Sequence, residues 1–351
     1  MRFEKMFFVV DSHTAGEGTR LVTGGMPPIP GKSMLDKVKY FKENLDFVQT
    51  SLTREPRIHQ HIVGAVITPP VTEKGDFGVF FMNENMCIHA TIGVVTSLIE
   101  CGMISPVEPV TEVNLDTPVG LVTAHAHIQN CSVKSVTIRN VPCFLHTVIT
   151  IGLQKIKKFD IPINIAFGGN FYAILNSDDI EVEVLPENIH KLTEISFMAS
   201  QAIDIELKRQ GIEVQHPEIP HVKWSGYCIV YGKPMRPDSN AKNFTIGFRD
   251  NMNIASAFWD RSPCGTGTCA RMGMEYAHDR LKLNQEFVNE SIVGSIFRGK
   301  LTSSAKVGKY VAAIPEITGS AYITAISTHV MDPDDPFKHG FLSTLPNTST
   351  R

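Results

Sequence analysis

The chain has 351 residues, a net charge of −3, 42% hydrophobic residues and 20% charged ones. That balance is the one of an ordinary soluble globular protein, long enough for two domains. It excludes the charge excess that nucleic acid or an anionic membrane would call for, and no apolar run is long enough to span a bilayer.

In chain order, the start Met-Arg-Phe-Glu-Lys-Met-Phe-Phe-Val-Val-Asp is too short an apolar run for a secretory signal and suits a first strand, Phe7 to Asp11. Asp11 to Arg20 is polar and reads as a loop at a strand end, a common place for binding groups. Ser33 is placed to cap a helix with Met34, Val38, Phe41, Leu45 and Val48 on one face and a Lys-rich, solvated face opposite. Glu55 to His61 is a turn; Val63 to Thr68 and Gly78 to Met82 are strands. Thr91 to Cys101 is apolar nearly all round, as in a helix buried on every side, and Gly102 is its stop.

Leu115 to Cys143 reads as strands and hairpins around Pro118 and Gly120, with Val136 and Ile138 on the buried side. Ile163 to Leu175 is a strand pair interrupted by Gly168-Gly169-Asn170. Pro186 opens a long helix with Ile189, Leu192, Ile195, Ala199, Ile203 and Leu207 on one face, closed by Gly211. Phe287 to Ile314 and Ala321 to Val330 are strands with Pro315 as a break between them, and the tail Asp332-Pro-Asp-Asp-Pro is turn and coil.

Seven cysteines, an odd number without tight spacing, argue for reduced thiols and a cytoplasmic location. Two of them stand out. Cys264 lies in Asp260-Arg-Ser-Pro-Cys-Gly-Thr-Gly-Thr-Cys-Ala270, where Gly265 and Gly267 permit a tight turn into a helix. A helix start concentrates unsatisfied N–H groups and partial positive charge, so it favours anions and is expected to ease ionisation of a thiol. Cys87, in Met86-Cys-Ile-His-Ala-Thr-Ile-Gly93, precedes the other buried helix in the same way. The remaining Cys101, Cys131, Cys143 and Cys228 are read as core residues.

Other chemistries fit less well. His59 with His61, and His125 with His127, have the spacing of two ligands on one strand face, but no third ligand presents itself, so no metal is expected. Cys264 and Cys269 could hint at a redox pair, but Cys269 falls inside the helix. Gly265-Thr-Gly lacks the Gly-Lys-Ser/Thr of a nucleotide-binding loop.

With both cysteine stretches in view, nearly the whole chain resembles the proline racemase family, which includes proline racemase, hydroxyproline 2-epimerase and trans-3-hydroxyproline dehydratase. The resemblance runs through Asp11-Ser-His-Thr-Ala-Gly-Glu17, Val22-Thr-Gly-Gly25, Met86 to Gly93, Leu115-Asp-Thr-Pro118, Ala166-Phe-Gly-Gly-Asn-Phe-Tyr172, Asp260 to Thr268, Glu290 to Ser295 and Asp332 to Phe337. It implies an α/β (α+β) fold of the diaminopimelate-epimerase type: two pseudo-symmetric halves, each a barrel-like sheet around a central helix, with the active site in the cleft between them. The expected division is 1–145 with Cys87, 146–319 with Cys264, and 320–351 returning to the first half with a tail.

The resemblance further implies that Cys87 and Cys264 are the catalytic acid–base pair at the substrate Cα. It assigns the N–H groups of Ile88, His89, Gly265 and Thr266 to the substrate carboxylate, and His89 and Asp260 to the amine. The implied activity is cofactor-independent racemisation or 2-epimerisation of proline or hydroxyproline in a homodimer. Dehydration of trans-3-hydroxy-L-proline and a non-catalytic binding protein are the alternatives; the dehydratases usually carry Thr at the second cysteine. The chain departs from the family pattern where Ile88, Ala90 and Ile58 stand in place of usual glycines, and the stretch between Met82 and Met86 looks short. A reshaped or narrowed substrate site follows from these replacements as an expectation.

Overall fold

The computed structural model describes residues 3–58, 61–82, 86–153, 160–250 and 252–342. The chain is mixed α+β and divides into two units, Met1–Ile138 with Gly319–Arg351, and Arg139–Thr318.

In the first unit, strands Lys5–Thr14 and Glu17–Gly24 form an antiparallel hairpin, and the late strand Ala321–Met331 pairs with the outer side of Lys5–Thr14. Glu17–Gly24 pairs in parallel with Val63–Thr68, which pairs with Phe77–Phe81, which in turn meets Val110–Thr117 in parallel. Two hairpins, through Gly120–Gln129 and Ser132–Arg139, complete the strands. Helix Ile88–Glu100 packs against Lys5–Thr14, Glu17–Gly24, Gly120–Gln129 and Ala321–Met331. Every residue from Ile88 to Ile99 is buried, so the lack of a polar face is explained by strands on all sides. Gly93 leaves room for the first strand: a Cβ there would lie 2.9 Å from the Ser12 hydroxyl.

The polar stretch Asp11 to Arg20 is not a loop. It belongs to the first hairpin, turning only at Ala15 and Gly16, both at positive φ. Its charges are consumed across the pair: the Arg20 guanidinium donates to both Asp11 carboxylate oxygens at 2.8 and 2.7 Å, and to the Leu52 carbonyl. Ser33 caps helix Met34–Asn44 in a reciprocal box with Asp36, but a second helix, Asp46–Thr53, begins after Leu45. The face expected to be solvated is interrupted as well. Lys37 is buried, its ammonium donating to Thr68 Oγ1 and the Pro69 carbonyl.

The second unit repeats the plan. Cys143–Ile151, Ile161–Phe167 and Phe171–Asn176 run antiparallel in succession; Cys228–Gly232 pairs in parallel with the last of these and Ala241–Phe248 follows. Phe287–Ser291 lies parallel to Ala241–Phe248 and leads to Ile296–Val307 and Tyr310–Gly319. Helix Gly265–Ala277 packs against Cys143–Ile151, Ile161–Phe167, Phe171–Asn176 and Ile296–Val307. The long helix is Ile189–Gln210, preceded by a 3₁₀ turn at Pro186–Asn188 and ended by Gly211 at φ 66°. Its buried stripe Leu192, Ile195, Ala199, Ile203 and Leu207 joins the main apolar cluster of this unit.

Pro315 does not break the chain. It lies within Tyr310–Gly319, opposite Leu301, where the register slips by one residue. A bulge tolerates the missing N–H, and the Pro315 carbonyl is used by the Asn140 N–H. A shared device marks the two units as variants of one design. Asp116 accepts from the backbone N–H groups of Val71 and Thr72, and Glu290 accepts from those of Met235 and Arg236. Each carboxylate pins the turn of the hairpin whose second strand runs parallel to its own.

Of the cysteines expected in the core, Cys143 and Cys228 are buried, but Cys101 is only half-buried and Cys131 is exposed. Cys131 sits at φ 58° in the turn after Asn130, where its N–H donates to Glu108 and its side chain has no packed layer to enter.

Candidate active site

Each unit brings one group of the expected residues together at the start of its central helix. In the first, Cys87 is the N-cap of Ile88–Glu100 in an extended conformation, φ −140°, and its side chain makes no capping bond. Its carbonyl accepts the Thr91 N–H at 2.9 Å, starting the helix. Ile88 and His89 are the next two residues, so their N–H groups belong to the first turn, which has no intrahelical acceptor. The His89 ring lies back along the cap, with Nδ1 3.1 Å from Cys87 Sγ. Thr14 Oγ1 donates to the His89 carbonyl at 2.8 Å and fixes that residue from the first hairpin. Ile88 and Ala90, which replace glycines of the related pattern, are both fully buried. Ile58 is at the end of the turn, its N–H donating to the Arg54 carbonyl. Residues 83–85 and His59 lie outside the described residues.

In the second unit, Cys264 is the N-cap of Gly265–Ala277, at φ 61° and ψ 111°. For a residue with a Cβ that backbone costs on the order of 1–3 kcal/mol and persists only where its neighbours hold it. The neighbours here are specific. Asp260 Oδ1 accepts from the Ser262 N–H and hydroxyl at 2.8 and 2.7 Å, and Ser262 Oγ accepts the Cys264 N–H at 3.1 Å. From the other side, Asn289 Nδ2 donates to Thr268 Oγ1, which donates to the Pro263 carbonyl. Asp260 is thus tied into the turn that presents Cys264. Gly265 and Thr266 open the helix, and the Gly267 N–H donates to Cys264 Sγ at 3.4 Å.

The expectation that a helix start eases ionisation of Cys264 is overturned. Burial, and then the charge of Asp260, push this thiol well above its ordinary value of 9.0. Hydrogen bonds from Tyr172, the Gly267 N–H and Thr266 oppose that rise without cancelling it. The N-terminal field is present, but loss of water around a thiolate is the larger effect. Cys264 is therefore a thiol at neutral pH. Cys269, one turn on, is fully buried and accepts a bond from Asn140 Nδ2, with burial raising it to about 12. His125 and His127 engage Glu112 and Thr137.

Tyr172 is the residue that sequence reasoning passed over. Its hydroxyl lies 3.6 Å from Cys264 Sγ and 2.7 Å from Thr266 Oγ1. It was visible only as one letter of a motif, separated from Cys264 by 92 positions. The strand alternation held a signal: Tyr172 and Ile174 share a face and enter the same apolar cluster as Cys264, Ala270 and Met274.

The chain is similar to known proteins along nearly its whole length. The proline racemase family profile matches residues 9–342. A proline racemase of Acetoanaerobium sticklandii is 41% identical over 97% of this chain and 99% of its own length. A 4-hydroxyproline 2-epimerase of Streptosporangium roseum is 39% identical over 97% of this chain and all of its own. Among solved structures, a hydroxyproline epimerase of Agrobacterium vitis with bound trans-4-hydroxy-L-proline superposes with a TM-score of 0.85 at 29% identity, covering 98% of this chain and 96% of that one.

Proposed function

Because the chain belongs to the proline racemase family, we propose that it is an isomerase that inverts Cα of proline or a hydroxyproline, with Cys87 and Cys264 as the acid–base pair. The observation that carries this reading is a cysteine at the N-cap of each of two buried helices. A Cα proton of an amino acid is hard to remove because the adjacent carboxylate is already negative. N–H donors of Ile88, His89, Gly265 and Thr266 bound to that carboxylate stabilise the charge that develops, each such donor contributing about 2.7–4 kcal/mol. One cysteine, as thiolate, takes the Cα proton; the other, as thiol, gives its proton to the opposite face. The product is the epimer, and the two sulfurs have exchanged protonation states. His89 and Asp260 receive the substrate amine.

The free chain favours a particular starting state. Burial keeps the proton on Cys264, whereas the neighbour of Cys87 Sγ is a ring nitrogen, His89 Nδ1, at 3.1 Å. The bulk of Ile88 and Ala90 narrows the substrate site relative to relatives with glycine there, so turnover of L-proline is expected to be slow beside that of its preferred substrate. All seven cysteines are free, which supports a reducing, cytoplasmic setting. Assembly as a homodimer completes the reading; exposed Phe8, Tyr322 and Ile326 on the pair Lys5–Thr14 and Ala321–Met331 offer apolar area for it, and sedimentation velocity tests it.

A deuterium-exchange screen over cyclic and acyclic amino acids, with wild type, Cys87→Ser and Cys264→Ser, tests the function. Solvent deuterium at Cα of proline or a hydroxyproline, with inversion by polarimetry, supports it. Release of pyrroline carboxylate from 3-hydroxyproline would point to dehydration. Ligand-induced thermal stabilisation with no exchange on any candidate would make the chain a binding protein.

A further inference from the structure

A cysteine that alternates between acid and base has to be accommodated in two protonation states. In the second unit the groups around Cys264 Sγ are two hydroxyls, Tyr172 at 3.6 Å and Thr266 at 3.8 Å, together with the Gly267 N–H. The hydroxyls are 2.7 Å from one another, and both residues are almost fully buried. We propose that Tyr172 is a positioning residue for Cys264: its hydroxyl and that of Thr266 form a chain whose protons turn round as the sulfur passes between thiol and thiolate. The inference deepens the reading of Cys264 as a proton-transfer residue and rests on it.

A hydroxyl has one proton to donate and two lone pairs, and its proton rotates to suit. When Cys264 is a thiol, S–H donates to the Tyr172 oxygen and the Tyr172 O–H donates to Thr266. When it is a thiolate, Thr266 O–H donates to the Tyr172 oxygen and the Tyr172 O–H donates to sulfur. In the thiol state the Thr266 O–H turns to Cys264 Sγ at 3.8 Å, so no heavy atom moves and each hydroxyl proton has an acceptor in both states. Tyr172 is suited to this because burial holds its phenol well above its ordinary value of 10.0, so it keeps its proton. The other titratable groups facing the site are Asp260, whose charge opposes the thiolate, and Tyr227, whose ring lies 5.7 Å from that of Tyr172. Neither duplicates the chain.

The test is the rate of Cys264 alkylation by iodoacetamide at neutral pH, read by peptide mass spectrometry in wild type, Tyr172→Phe, Thr266→Val and Thr266→Ser, with Cys269 as the internal control. A hydrogen bond to a charged group corresponds to about 10- to 100-fold in thiolate population, so Tyr172→Phe is expected to lower the Cys264 rate by that much. Thr266→Val should lower it less, and Thr266→Ser should restore the wild-type rate. A purely structural role would loosen the packing and raise alkylation of Cys264 and its buried neighbour Cys269 together. An unchanged or raised Cys264 rate in Tyr172→Phe overturns the proposal. Alkylation does not depend on turnover, so failure of the racemase reading shows separately, as absence of Cα exchange in wild type.

Discussion

Cys87 and Cys264 hold the same position in two units of one design and have opposite local chemistry. Cys87 is extended, makes no capping bond and has an imidazole against its sulfur. Cys264 is at positive φ, accepts a backbone N–H and is bordered by two hydroxyls and the charge of Asp260. The difference teaches that a helix start alone does not set the state of a thiol. The side chains that replace water around a sulfur set its proton affinity as well.

The largest expected effect treats the two sites as equals. Cys87→Ser and Cys264→Ser should each lower the rate of inversion by about 10²–10⁴-fold, because a positioned acid or base contributes that much. Polarimetry checks this, and a loss confined to one variant would break the pairing. Next come the glycines where the helices meet their strands. A Cβ on Gly168 would lie 2.2 Å from Ala270 N and 2.4 Å from the Thr266 carbonyl, whereas on Gly93 it meets only the side chains of Ser12 and Thr19. Gly168→Ala should therefore cost about 3 kcal/mol or more and Gly93→Ala about 1 kcal/mol in urea titrations.

A third expectation concerns pH and rests mainly on the second unit, although burial also raises Cys101 in the first. Burial raises Cys143, Cys228, Cys264 and Cys269 in the second unit, Cys228 and Cys269 to about 12, from 9.0. Below 9.0 both folded and unfolded chains keep these protons, and stability is unaffected. Above it the unfolded chain releases them first, so the folded chain binds more protons and its stability falls as pH rises toward 12. Each buried thiol should subtract about 1 kcal/mol by one unit above its unfolded value. Cys228→Ala should flatten the alkaline slope of the denaturation midpoint, and an unchanged slope would remove the thiols as its cause. Smallest is a backbone contrast: Cys264→Gly should be more stable than Cys264→Ala by about 0.5–1 kcal/mol, since glycine relieves the positive φ. At Cys87 the order should reverse, and calorimetry on the four variants decides it.

Much of the scaffold was legible because its signals are local. The buried helix after Cys87, the stripe on Ile189–Gln210, the Gly211 stop and the Ser33 cap each follow from residues within a few positions of one another. The errors share one cause. Asp11 to Arg20 looked like a loop because it is polar, when Asp11 and Arg20 satisfy each other across a hairpin. Lys37 looked exposed and Pro315 looked like a break because their partners, Thr68 with Pro69 and the Leu301 bulge, lie far along the chain.

Sequence by itself determined the two helix-capping cysteines and, through the motifs around them, the family, since turn chemistry and apolar periodicity are written into adjacent residues. Only the tertiary structure decided what stands beside each sulfur: the His89 ring folded back on Cys87, and Tyr172 with Thr266 around Cys264. Proton affinity in a buried site depends on the nearest few dipoles and charges and on excluded water. Those neighbours are gathered from distant strands by packing, which no short stretch of chain records.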